Sequence, residues 1–180
     1  MDALLLIDFQ KDFLVRGGRM PLSSEQAERL IAIANKLIDY LKETGGKAIF
    51  IGNEFSKTDF MGNLFRRFSA LKGSDGAQLD PRIYRDGCPY FPKSKSDAFS
   101  NPDLDTYLKK LGVGRIYVSG VYSEGCVRAT AFGAKKRGYE VFLIADAVAS
   151  NRRFKHQWAL SYLLRHGVTI LYSEQLLIAR

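Results

Sequence analysis

The stretch Arg115–Asp146, RIYVSGVYSEGCVRATAFGAKKRGYEVFLIAD, decides the fold. It reads as a strand (RIYVSG), a helix (SEGCVRATAFGAKKRG) and a second strand (EVFLIAD). Both strands are nearly continuously apolar, the pattern of strands covered on both faces. A helix of this length between two such strands predicts a right-handed crossover within a parallel sheet.

The alternation continues in both directions. Ala3–Phe9 (ALLLIDF) is a buried-type strand. Ser23 with Gln26 has the spacing of a capping box. Beyond it Ala27, Leu30, Ile31, Ala34, Leu37, Ile38 and Leu41 recur at helical spacing, and Gly45–Gly46 close the helix. Lys47–Asn53 (KAIFIGN) is the next strand. DLDTYLKKLG and RFKHQWALSYLLRHG read as helices and VTILY as a last strand. Residues 54–92 read as irregular, with some helix around Gly62–Leu71. The expectation is one domain over residues 1–180, of class α/β: a three-layer α/β/α sandwich with a mostly parallel sheet of about six strands.

Composition narrows the classes. A hydrophobic content of 46% over 180 residues is that of a globular chain. No apolar run approaches the roughly 18 residues of a membrane span. The opening MDALLLIDFQ carries acids and no basic lead, so no secretory signal is expected. Two cysteines make no disulfide framework, and a cytoplasmic protein with free thiols is the expectation. The net charge of +8 is uneven: residues 1–106 hold fifteen basic and fifteen acidic side chains, residues 107–180 twelve and four. Lys109, Lys110, Lys135, Lys136 and Arg137 fall at helix ends, where cations complement the dipole. No aromatic residues interleave with them, so no nucleic-acid partner is expected.

Sites in such sheets lie at the carboxyl ends of strands. That rule selects Asp8, Asn53, Glu54, the segment Gly120–Cys126, and Asp146. Asp8 and Cys126 should approach each other there. A cysteine opening a helix sits near the positive end of its dipole, which favours thiolate; a packed, inert thiol is the other reading of the same position. Asp8 follows four apolar residues, and burial would raise its pKa toward the range of a useful base; a loop-capping aspartate is the alternative. His156 and His166 supply the imidazoles, and His156, on a helix with Trp158, reads as structural.

LLLIDFQKDFL, FPKSKSDAFSNPDLDTYLKKLGV and IYVSGVYSEGCVRATAFGAKKRGYEVFLIADAVAS, in that order and spacing, resemble the isochorismatase-like cysteine hydrolases, a superfamily with nicotinamidases, N-carbamoylsarcosine amidase and ureidoacrylate-type amidases. GSDGAQLDP and HQWALSYLL are also similar, so the resemblance covers nearly the whole chain. It implies a triad of Asp8, Lys93 and Cys126. Lys93 stands four positions before the DAF triplet, with Lys95 as the alternative. It further implies an oxyanion hole from the backbone N–H groups of Tyr122 and Cys126, and a cis peptide between Val121 and Tyr122. A thioester intermediate and a homo-oligomer, dimer or tetramer, follow from the same resemblance.

Two departures shape the expected activity. Tyr122 stands where the family usually has a small residue. The histidines with which nicotinamidases hold a metal are missing, since no histidine precedes His156. The implied function is a metal-independent, cofactor-free amidohydrolase cleaving a C–N bond of a small amide, carbamoyl or ureido compound. Phe13, Asn53, Glu54, Phe55 and Tyr122 are the candidate pocket walls, and Cys88 reads as structural. The alternatives are a catalytically weak binding or regulatory member of the fold and an isochorismatase-type hydrolase. A thiol redox protein is a further reading, with Cys88 its only candidate resolving thiol.

Overall fold

In the computed structural model, which describes residues 1–85 and 87–178, the apolar runs become six parallel strands. They are β1 (Asp2–Ile7), β2 (Lys47–Asn53), β3 (Tyr90–Lys93), β4 (Arg115–Val121), β5 (Glu140–Ala149) and β6 (Thr169–Leu171), in the order β3-β2-β1-β4-β5-β6. The helices are α1 (Lys11–Leu14), α2 (Ser24–Glu43), α3 (Phe60–Phe65), α4 (Pro102–Lys110), α5 (Arg128–Lys136), α6 (Arg153–Arg165) and α7 (Ser173–Leu177). Successive side chains of a strand point to opposite faces. Leu4 and Leu6 of β1 therefore pack with Leu30, Leu37 and Leu41 of α2. Ala3, Leu5 and Ile7 pack with Leu104 and Leu108 of α4, Ala131 and Ala134 of α5, and Leu163 of α6. The result is the expected three layers. No helix among the described residues is long and apolar enough to cross a membrane.

Several local expectations are corrected. Ser23 caps α2 by accepting from the Gln26 backbone N–H at 3.2 Å, and its hydroxyl donates back to Gln26 Oε1 at 3.2 Å. The Gln26 side chain thus returns to the Ser23 hydroxyl rather than to its backbone N–H, while its Nε2 donates to Ser150 O just past β5 at 3.1 Å. Helix in the 62–71 region is confined to α3, because Arg67, Phe68 and Ala70 take φ values of 51°, 57° and 48°, which a right-handed helix cannot use. β3 begins inside the stretch read as irregular and ends one residue past it. It is short and contains Pro92, tolerated because β3 is an edge strand.

β4 and β5 meet with a register shift between Val118 and Gly120. β5 consequently runs on to Ala149, past Asp146. The Asp146 carboxylate accepts from Ser173 N–H at 2.8 Å and Ser173 Oγ at 2.5 Å, holding the start of α7. It belongs to the fold rather than to the expected strand-end cluster.

Candidate active site

Strand order reverses between β1 and β4: the chain leaves β1 toward β2 and leaves β4 toward β5. In such a sheet the loops after these strands diverge, and this is the position where sites form at the carboxyl ends. Asp8 follows β1 there with a left-handed φ of 58°, its N–H donating to Ile51 O at 2.8 Å. Lys93 is the last residue of β3, in register with Asn53 at the end of β2. Cys126 lies in a wide π-type turn, Ser123–Val127, that follows β4 and is broken at Gly125. The Val121–Tyr122 peptide before this turn is cis. α5 begins at Arg128, so Cys126 precedes the regular helix rather than opening it.

The four side chains converge. Lys93 Nζ donates to Asn53 Oδ1 at 2.6 Å, to Asp8 Oδ2 at 3.1 Å and to Cys126 Sγ at 3.2 Å. Asn53 Nδ2 donates to Asp8 Oδ2 at 2.8 Å and lies 3.8 Å from Cys126 Sγ. Asp8 Oδ1 sits 3.1 Å from Lys93 Nζ but receives no hydrogen bond. Asp8, Asn53 and Lys93 are all buried. Lys95, by contrast, is exposed.

Burial governs the electrostatics. Desolvation holds the Asp8 carboxyl above its ordinary value, with the Lys93 charge pulling the other way. Lys93 is raised: burial opposes its charge, but Asp8 and Cys126 outweigh it. The Cys126 thiol is pushed up to about 11, by burial first and by the Asp8 charge second. The expected low-pKa thiolate is thus corrected: Lys93 lowers the thiol pKa, but less than burial and Asp8 raise it. The buried cluster is electroneutral with Lys93 and Asp8 charged and Cys126 as thiol. It stays neutral when the thiol proton moves to Asp8.

The walls fall into two groups. Tyr122 packs edge-on against Phe13 with ring centroids 5.9 Å apart, its phenol donating to Met20 O and accepting from Asn151 Nδ2. Phe55 is buried in the same apolar cluster as Phe13, with the Arg66 guanidinium 4.0 Å over its ring. The Glu54 carboxylate accepts from Tyr90 at 3.2 Å, and Glu54 lines a cavity of about 570 Å³ whose walls include none of Asp8, Lys93 and Cys126.

Supporting residues went unassigned in the sequence. Gln10, fully buried, donates to Asn53 O at 2.8 Å and accepts from Asn53 N–H at 2.9 Å, fixing the asparagine at the centre of the cluster. Asp12 accepts from the N–H groups of Arg19 and Ala70, joining two loops. Both stand in IDFQKDF, where a buried-type strand followed by three closely spaced polar residues was the available signal. Ser123 Oγ meets His156 Nδ1 at 2.8 Å, so His156 braces the cysteine turn.

The stretch after β2 does not suit a metal. Glu54 is held by Tyr90, Asp59 pairs with Arg66 at 2.5 Å, and Asn53 is engaged by Lys93 and Asp8. Among the described residues no three His, Cys, Asp or Glu side chains converge to hold an ion. Cys88 precedes the amino end of β3, whereas Cys126 follows the carboxyl end of β4. In a parallel sheet these are opposite ends of the strands, and no disulfide joins the two cysteines.

A sequence profile of the isochorismatase domain matches residues 2–175. The chain is 27% identical over 159 residues to a "probable inactive nicotinamidase" of Arabidopsis thaliana, covering 82% of this chain and 80% of that one. An isochorismatase-like hydrolase from Alkaliphilus metalliredigens superposes with a TM-score of 0.87 at 26% identity, over 97% and 96% of the two chains. A pyrazinamidase of Pyrococcus horikoshii, solved with zinc, gives 0.83 at 28% identity over 95% and 98%. With the parallel sheet and the profile match over residues 2–175, these likenesses establish that the chain belongs to the isochorismatase family of hydrolases.

Proposed function

We propose that the protein is a metal-independent cysteine amidohydrolase of small amide, carbamoyl or ureido compounds, with Asp8, Lys93 and Cys126 as its triad. The observation that carries this reading is the convergence of a thiol, a carboxylate with an uncommitted oxygen and an ammonium within one buried cluster. Asp8 Oδ1 takes the thiol proton as Sγ attacks the carbonyl carbon. Lys93 stabilises the developing thiolate. The oxyanion is held by the backbone N–H groups of Tyr122 and Cys126. Asp8 returns the proton to the departing amine as the C–N bond breaks, leaving a thioester. It then takes a proton from water, whose oxygen attacks the thioester carbon. The acid leaves and the thiol recovers its proton. Asn53 keeps all three groups in register.

The name of the Pyrococcus relative, an amidase acting on an aromatic amide, supports C–N rather than vinyl-ether cleavage, as does retention of Cys126. A homo-oligomer is part of the same proposal, and light scattering tests it. The deciding experiment is ammonia or amine release across a panel of small amides, by wild type and Cys126→Ala. Turnover that vanishes in the variant supports the reading. The second reading, a binding member with negligible turnover, is favoured by Tyr122 packed on Phe13 and by the Arabidopsis relative; saturable amide binding without product release would select it.

A further inference from the structure

The basic excess of the second part of the chain is only partly accounted for by helix ends. Lys109 and Lys110 close α4 and Lys135 and Lys136 close α5, where the dipole favours them. Arg152, Arg153 and Lys155 do the opposite: they open α6, which has no acid in its first turn. Cations there cost helix stability, so their placement has another cause.

Arg153 faces a cavity of about 530 Å³ at the carboxyl end of β5, between α2 and α6. Arg29 of α2 lines the same cavity, with Ser150, Asn151 and His156. Among the described residues neither guanidinium makes a salt bridge. The one carboxylate in the wall, Asp146, is already bonded through both oxygens to Ser173. The cavity wall therefore carries two exposed guanidiniums, neither in a salt bridge, against the single charge of Asp146; they are fork-shaped donors suited to carboxylate or phosphate. It is separate from the triad, whose side chains are not in its lining, yet wired to the cysteine turn. His156 holds Ser123 at 2.8 Å, and Asn151 donates to the Tyr122 phenol at 3.2 Å.

We propose that this cavity is a second ligand site, which binds a small organic anion bearing a carboxylate or phosphate group and through His156 and Asn151 sets the posture of the turn carrying Cys126. Binding stands on the cavity alone; the coupling rests on the reading of Cys126 as the reactive thiol.

Calorimetric titration of the whole protein with inorganic phosphate and, separately, with succinate tests binding. One of the two should bind wild type saturably at millimolar concentration, and the stronger probe identifies the anion's chemistry. The double variant Arg29→Gln/Arg153→Gln should weaken it at least about ten-fold. The charge-matched control Lys36→Gln/Arg165→Gln, on the same two helices but outside the cavity, should bind as wild type does. No binding of either probe, or equal loss in the control, overturns the site. For the coupling, the bound anion should change the alkylation rate of Cys126 in wild type and not in the cavity variant. An unchanged rate overturns the coupling while leaving the site. Neither measurement needs amide turnover, so failure of the amidase reading is distinguishable from failure of this one.

Discussion

The Lys93 ammonium lies 3.2 Å from the Cys126 sulfur, and the thiol nevertheless titrates above its ordinary value, at about 11. A cation in contact is outweighed by burial and by the Asp8 charge. Alkylation of Cys126 by iodoacetamide in the free protein is therefore slow at neutral pH and rises about ten-fold per pH unit in the alkaline range. Mass mapping of the labelled peptide against pH checks this. A plateau below pH 8 would contradict it. Cys126→Ala should lower turnover by about 10³-fold or more.

Asp8 must be ionised to accept a proton, and its pKa is raised. Activity is thus present above that value and lost as pH falls through it, with an acid limb above the ordinary carboxylate range. Asp8→Asn, nearly isosteric, should cost about 10³-fold in kcat. Lys93→Met removes the one charge pulling the Asp8 pKa down, so any residual activity should show its acid limb at higher pH than wild type. Lys95→Met should follow the wild-type profile. The pH dependence of kcat/KM decides each case.

Most of this arrangement was legible because parallel strands write themselves as apolar runs and place their carboxyl ends on one edge. Asp8 and Cys126 followed from topology. Lys93 did not: β3 is a four-residue edge strand interrupted by Pro92, and only the resemblance singled out its lysine. The raised Asp8 pKa was foreseen from its apolar neighbours, but the thiol was misread because helix position is visible in a sequence, whereas the depth at which a thiol is buried is not. Asn53 joins Asp8, Lys93 and Cys126, whereas Glu54, the next residue, bonds to Tyr90, a division that strand-end position alone does not reveal.

Gly120 in β4 has a φ of +130°, and a Cβ there would stand 2.0 Å from Ile7 O. Gly120→Ala should separate β1 from β4 beneath the triad. The expected cost is at least ~2 kcal/mol of stability, read as a lowered thermal midpoint. A variant melting with wild type would show that the strands adjust.

Incubation with a chelator should leave amide hydrolysis unchanged, because the donors after β2 are engaged by Tyr90, Arg66 and Lys93. Activity lost to chelator and restored by zinc or manganese would refute the assignment of the site.

Asn53 reaches Asp8 across 45 residues of chain, and Lys93 reaches Asp8 across 85. The first contact needs β1 and β2 side by side and the second needs β3 as well, so the complete cluster is a late event in the molecule's own history. Helices such as α2 close locally and should return first on dilution from denaturant. Protection of Cys126 from alkylation should return last, making this one sulfur a clock for the joining of β3, β2, β1 and β4.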